Sequence, residues 1–263
     1  MTANCQLPAD VKARIEHCRS TEEWPIAEDT LGKIIENYTL AEHSDTPICQ
    51  DTGVTCVFLK VGQDVQIDGD LIAAVNEGVR QGYRTGYLRG SVITDPLFDR
   101  KNTGDNTPAM ISTEIVAGDE ISITVVPKGF GSENMSRIQM LPPSAGVAGV
   151  VDFVLETIEM AGPNPCPPIV VGVGLGGTFD KAALLAKKAL LRPLGEGHED
   201  SRYAELEAEL LERINALGIG PQGFGGRTTA LSVAIEYLPT HIAGLPCAVN
   251  INCHVARHAT EVI

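Results

Sequence analysis

The chain is poor in aromatic residues and in basic charge, and it has no long apolar run. Only 5% of its 263 residues are Phe, Trp or Tyr, and Trp24 is the single tryptophan. That scarcity argues against an aromatic platform for stacking nucleic-acid bases. Lysine and arginine total 20 against 34 aspartates and glutamates, a formal net charge of −14. With no basic surface to release counterions from DNA or RNA, a nucleic-acid partner is not expected. A small anionic substrate requires instead a local basic pocket working against the global field. Nothing approaches the roughly 18 consecutive apolar residues of a membrane span. The start, Met1-Thr2-Ala3-Asn4-Cys5, has no basic segment followed by an apolar one, so no secretory leader is expected and a cytoplasmic location is. No C-x-x-C, internal repeat or low-complexity segment occurs.

What is present suits a globular enzyme with many tight turns: 43% hydrophobic residues, 27 glycines and 16 prolines. This length can bury a substantial core as one large domain or two small ones. Seven cysteines is an odd number, which fits reduced thiols better than a disulfide scaffold. Apolar spacing predicts helices within the first 45 residues, over 69–85, 145–161, 179–191 and 201–217. Strands are predicted over 53–60, 120–127, 169–171, 228–237 and 246–252. Residues 90–109 form a long loop rich in Asp, Asn, Thr, Gly and Pro, of a length that more often serves function than not. Gly195–Asp200 is the best candidate for a surface linker. The interleaving indicates an α/β fold: mixed sheets with flanking helices, in a single large domain over 1–263.

Three cysteines stand in settings that suit presentation of a thiolate. Cys49 lies in Pro47-Ile48-Cys49-Gln50-Asp51-Thr52-Gly53, Cys166 between prolines in Pro163-Asn164-Pro165-Cys166-Pro167-Pro168, and Cys253 in Asn250-Ile251-Asn252-Cys253-His254. Three thiolates from distant segments could hold an iron–sulfur cluster with one iron open to substrate. Cys5, Cys18, Cys56 and Cys247 read as ordinary small apolar residues.

Other motifs admit rival readings. Gly172-Val173-Gly174-Leu175-Gly176-Gly177 fits a dinucleotide-binding turn, but the acidic residue expected on a second strand about 20 residues on is replaced by a loop-like segment, 192–196. Asp51-Thr52-Gly53 resembles an aspartic-protease triplet, yet the second carboxylate that chemistry needs has no copy. His254 and His258 would share one face if the C-terminus were helical, which makes a zinc site conceivable.

Taken together, 47–53, Lys128-Gly129-Phe130-Gly131-Ser132-Glu133-Asn134, 172–178, Pro239–Pro246 and Asn252-Cys253-His254 resemble the iron–sulfur class I fumarase and L-tartrate dehydratase family. The likeness runs from about residue 30 to the end, in the same order, and corresponds to the α subunit. It implies that Cys49, Cys166 and Cys253 ligate a [4Fe–4S] cluster, with Asp51 and His241 as a carboxylate–imidazole pair moving the proton at the oxygen side. It implies substrate contacts from Gln50, Arg89 and Gly131. Arginine suits that task because its planar fork meets a carboxylate through two hydrogen bonds. Phe130 departs from what is often an all-glycine turn. The family's second domain is missing here, so a separate β subunit carrying the remaining substrate ligands is expected, in an α2β2 assembly. The implied reaction is reversible hydration of fumarate to L-malate. L-tartrate dehydration to oxaloacetate is the alternative, and a non-catalytic metal-stabilised scaffold the rival from another class.

Overall fold

The computed structural model describes residues 1–263. The helices are α1 (Thr2–Cys5), α2 (Ala9–Thr21), α3 (Pro25–Ser44), α4 (Leu71–Thr85), α5 (Phe130–Glu133), α6 (Gly146–Ala161), α7 (Phe179–Ala189) and α8 (Ser201–Ala216). The strands are β1 (Val54–Gly62), β2 (Met110–Val116), β3 (Ile121–Lys128), β4 (Arg137–Leu141), β5 (Ile169–Gly176), β6 (Ala230–Leu238), β7 (Leu245–Asn252) and β8 (Ala259–Val262). Packing divides the chain into two compact units. The first comprises Met1–Leu7, Asn37–Phe130 and Arg257–Ile263, the second Pro8–Glu36 and Gly131–Ala256.

In the first unit a four-stranded sheet has the order β2-β1-β3-β8. β1 and β2 run parallel, while β3 is antiparallel to both β1 and β8. Parallel neighbours require a crossover, and α4 supplies it. Asp70 caps α4, its side chain accepting from Ala73 N–H at 2.9 Å. Val79 and Tyr83 of α4 pack on Val57 and Leu59 of β1. Full burial of one such side chain contributes on the order of 1.5–3 kcal/mol.

The sheet of the second unit, β4-β7-β5-β6, is also mixed: β5 and β6 are parallel, β7 antiparallel to β4 and β5. Its core joins Val150, Val154 and Ile158 of α6 and Leu210 and Ile214 of α8 to Val171, Val173, Ile235 and Val249. α7 covers β5 through Ala182 and Ala186. A Cβ at Gly172 or Gly174 would fall 2.0 Å from the carbonyl oxygen of Ala186 or Ala182. These glycines therefore exist to let the helix lie close on the strand, which accounts for the G-x-G run without a dinucleotide. All eight residues of β5 are buried.

The α/β reading with mixed sheets and flanking helices is what the structure has. The predicted helices and strands are all present, and three strands come in addition. β2 and β8 expose most of their residues, so no alternation announces them. β4 is only five residues long. The glycine run 172–176 belongs to β5 rather than to a turn. Gly195–Asp200 lies within the second unit, where Glu207 accepts from His198 N–H at 3.0 Å. Residues 253–258 are not helical, so His254 and His258 share no helix face.

Candidate active site

In the first unit the segment Cys49–Gly53 forms a tight turn leading into β1. Gly53 adopts φ +81°, and a Cβ there would meet Lys128 N at 2.8 Å, so only glycine fits. Asp51 accepts from Gly53 N–H at 3.0 Å through Oδ1 and from Phe130 N–H at 2.9 Å through Oδ2. The carboxylate is thereby fixed in direction, and each oxygen retains a second lone pair. Cys49 Sγ lies 3.4 Å from Gln50 Oε1, which accepts from the thiol. Thr52 Oγ1 donates to the carbonyl of Arg89 at 3.0 Å, which joins the turn to the segment carrying that arginine. Arg89 itself is exposed.

Residues distant in sequence hold this turn. Tyr83 OH lies 2.7 and 2.8 Å from the carbonyls of Thr52 and Gly53. Burial, the largest influence, raises the pKa of that phenol, so it remains protonated and able to donate. Asn106, fully buried and at φ +61°, donates to Gly53 O at 3.1 Å and accepts from Ser91 N–H at 2.6 Å. The long loop 90–109 is thus tied to the turn. Arg257, only 3% exposed, donates through Nη2 to Asp51 O and through Nε to Pro127 O at 3.2 Å.

The second unit brings Cys166 and Cys253-His254 together. Cys166 is exposed and sits at φ +56°, a conformation rare for a side chain with a Cβ, ahead of a cis Pro167–Pro168 bond. Its carbonyl oxygen is 3.0 Å from His254 Nδ1. Since a carbonyl can only accept, Nδ1 carries the proton. Gln222 donates to Pro167 O through Nε2 at 2.7 Å and through its backbone N–H at 2.8 Å. Gly131 neighbours the same loop: a Cβ there would meet only Asn164 O, at 3.8 Å, an ordinary contact. Nothing in the local packing demands glycine at 131. His241 is exposed on the β6–β7 connection, where Nδ1 accepts from Ala243 N–H at 3.2 Å, placing the proton of the neutral ring on Nε2.

The seven cysteines fall into two classes, and none forms a disulfide. Cys5, Cys18, Cys56 and Cys247 are buried. Burial raises the thiol pKa of Cys5 and Cys18, and pushes Cys247 up to about 12. Such thiols are poor metal ligands and poor nucleophiles. Cys49, Cys166 and Cys253 lie on turns outside the core and fit the thiolate donor set that clusters use. No group of three or more His, Cys, Asp or Glu is gathered at cation-binding spacing.

The family described as Fumarate hydratase (Fumerase) matches residues 1–262. The chain belongs to the fumarate hydratase family. It is 48% identical to a Methanocaldococcus jannaschii protein provisionally named L(+)-tartrate dehydratase subunit alpha, over 98% of this chain and 92% of that protein. The L(+)-tartrate dehydratase subunit alpha of Escherichia coli O157:H7 is 35% identical over 98% of this chain and 86% of its own length. That of Escherichia coli K12 is 34% identical over the same shares. Membership of this family makes the chain a hydro-lyase-type protein. No helix is long and apolar enough to cross a membrane.

Motif reading gave no role to the residues that hold these turns: Tyr83, Asn106 and Arg257 in one unit, Glu133, Lys187, Gln222 and Asn250 in the other, although Glu133 and Asn250 lie inside the segments 128–134 and 250–254. Tyr83, Asn106, Arg257 and Asn250 are buried and Glu133, Lys187 and Gln222 half-buried, and only the folded contacts single them out. Arg137, unassigned from sequence, has a packing role: it pairs with Glu156 at 3.3 Å and lies over the Phe153 ring at 5.1 Å.

Proposed function

We propose that this chain, over 1–263, is the α subunit of a [4Fe–4S]-dependent hydro-lyase acting on a four-carbon dicarboxylate, completed by a separate β subunit. The observation that supports it most is the meeting of the Cys166 and Cys253-His254 segments beside Gly131 in the second unit. The residues fit the cofactor: Cys49, Cys166 and Cys253 are the cysteines outside the core, and we assign them as its ligands. When bound, the cluster supplies a Lewis-acidic iron for the hydroxyl-bearing end of the substrate. Arg89 and Gln50, both exposed in the first unit, bind and orient substrate carboxylate, and Gly131 admits close approach of the backbone. Asp51 and His241 serve proton transfer at the departing oxygen, with His241 Nε2 carrying the proton of the neutral ring. The base for the carbon-bound proton comes from the partner, as do the remaining cationic ligands.

The relatives' names put L-tartrate dehydration to oxaloacetate first among reactions to assay. The family description carries the second reading, fumarate hydration to L-malate. L-malate and L-tartrate differ by one hydroxyl, a distinction set by a few buried polar groups.

The test is anaerobic co-purification with the β subunit, reconstitution, and measurement of iron, acid-labile sulfide and turnover of both substrates. About four iron and four sulfide per chain are expected, with turnover. Cys166→Ser should lose cluster and activity together. Full cluster content in that variant would remove Cys166 as a ligand. A chain that stays free of iron under conditions that load a control [4Fe–4S] protein would end the proposal.

A further inference from the structure

A half-buried polar network in the second unit joins two elements that the proposed function uses separately. Glu133 lies two residues beyond Gly131, and Asn250 three residues before Cys253. Glu133 Oε1 forms an ion pair with Lys187 of α7, and its Oε2 accepts from Asn250 Nδ2 at 2.9 Å. The same Asn250 nitrogen donates to Ser136 Oγ at 2.9 Å, and Ser136 Oγ accepts from Ile251 N–H at 3.1 Å. Because a carboxylate only accepts, the amide of Asn250 can face Glu133 only through its nitrogen. The side-chain oxygen of Asn250 is buried with no protein partner, so this orientation is held at a cost. Asn250 stands opposite Gly172 in the β7–β5 register, and Gly172 is where α7 makes its close approach. The position of Lys187 is therefore fixed by helix–strand packing.

We propose that Glu133, Lys187 and Asn250 are positioning residues that lock the Gly131 turn to the strand delivering Cys253. The inference rests on the proposed function for the roles of Gly131 and Cys253, but its physical content is local. Glu133 receives donors on both oxygens, from Lys187 on one side and Asn250 on the other. A glutamine has one oxygen and one nitrogen, so it can satisfy one donor only by turning a donor toward the other. The carboxylate is needed for its two-sided acceptance.

That logic gives a signed double-mutant cycle. Glu133→Gln should lower kcat/KM of the reconstituted αβ enzyme by roughly 10–100-fold, measured well below its melting temperature. Lys187→Met removes the conflicting donor, so Glu133→Gln/Lys187→Met should recover about tenfold of that loss, although it carries one substitution more. In the cluster-free chain, hydrogen exchange should show 131–136 and 249–254 losing protection together in Glu133→Gln and in Asn250→Ala. Protection should return in the double variant. A double variant no better than Glu133→Gln, or exchange that rises only in the mutated segment, would overturn the positioning role. So would a lowered Tm with unchanged kcat and KM. If the wild-type enzyme takes up no cluster and turns nothing over, the functional reading falls. The exchange experiment then still decides whether the three residues couple the two segments.

Discussion

The two units support their turns by opposite means. In the first, the turn Cys49–Gly53 has its backbone carbonyls taken by side chains: Arg257 on Asp51, Tyr83 on Thr52 and Gly53, Asn106 on Gly53. In the second, Cys253 follows directly from a central strand, and Cys166 is joined to it through His254. A turn outside a sheet has no ladder to satisfy its carbonyls, so buried donors must come from elsewhere. A residue at a strand's end inherits its position from the ladder and needs only local fastening. The contrast teaches that the residues carrying the proposed chemistry are half-buried or exposed and lie close together in a few short segments, while those that hold them are scattered along the chain.

The largest effect expected on either side concerns Asp51. Its carboxylate is held by two backbone N–H groups, and it is the proposed proton-transfer group of the first unit. Asp51→Asn should retain cluster and cost turnover roughly 10²–10⁴-fold, the scale of a general acid–base group. If turnover stayed near normal, Asp51 would be a turn-forming residue only, and the first unit would contribute binding groups without proton transfer.

A sharper test of the contrast is Arg257→Met. The change leaves the carbonyls of Asp51 and Pro127 without their donor, which should cost on the order of 2–5 kcal/mol in denaturant unfolding. Hydrogen exchange should rise at 51–53 and 127–128 while 249–254 stays protected. Equal loss of protection in both regions would mean that the two turns share one support, and the comparison would fail.

How much of this was legible in the sequence follows the same division. β1, α4 and α8 were readable because one-sided or helical burial leaves a period in the residues. Val79 and Tyr83 of α4 repeat at i, i+4 against Val57 and Leu59. β2 was not readable, because its partner β1 supplies hydrogen bonds that an edge strand of Met110, Ser112 and Glu114 does not advertise. Only 169–171 of β5 is legible as strand, because Gly172 and Gly174 look like a turn until α7 is seen lying on them. The proposed site residues Cys49, Asp51 and Cys253 lie in segments that carry the family resemblance, and Cys166 in a proline-flanked segment of its own. Their supports were not legible. Arg257 lies 206 residues from Asp51, and no local pattern encodes a contact whose partners meet only after folding. Asn250 looks like any strand residue until Glu133 is found beside it.

The smallest effect lies at the rim of the first unit, where Asp105 organises the end of the long loop. Its carboxylate accepts from the Thr107 hydroxyl at 2.7 Å, from Thr107 N–H at 3.0 Å and from Arg80 Nε at 2.8 Å. These bonds, the Thr107 hydroxyl first among them, hold its pKa down at about 2. An ordinary aspartate in the unfolded chain titrates near about 3.9. The folded value is depressed, so the contribution is fully present above about pH 4 and is lost as pH falls through about 2. Solvent reaches this group, which keeps the effect small. Asp105→Asn should lower stability slightly at pH 7 and should flatten the fall in stability between pH 4 and pH 2 relative to the parent chain. Because the other carboxylates titrate in both proteins, only the difference between the two curves reports on Asp105. Parallel curves across that window would show that Asn106, fastened to the Gly53 carbonyl from within the core, holds the loop without help from its neighbour.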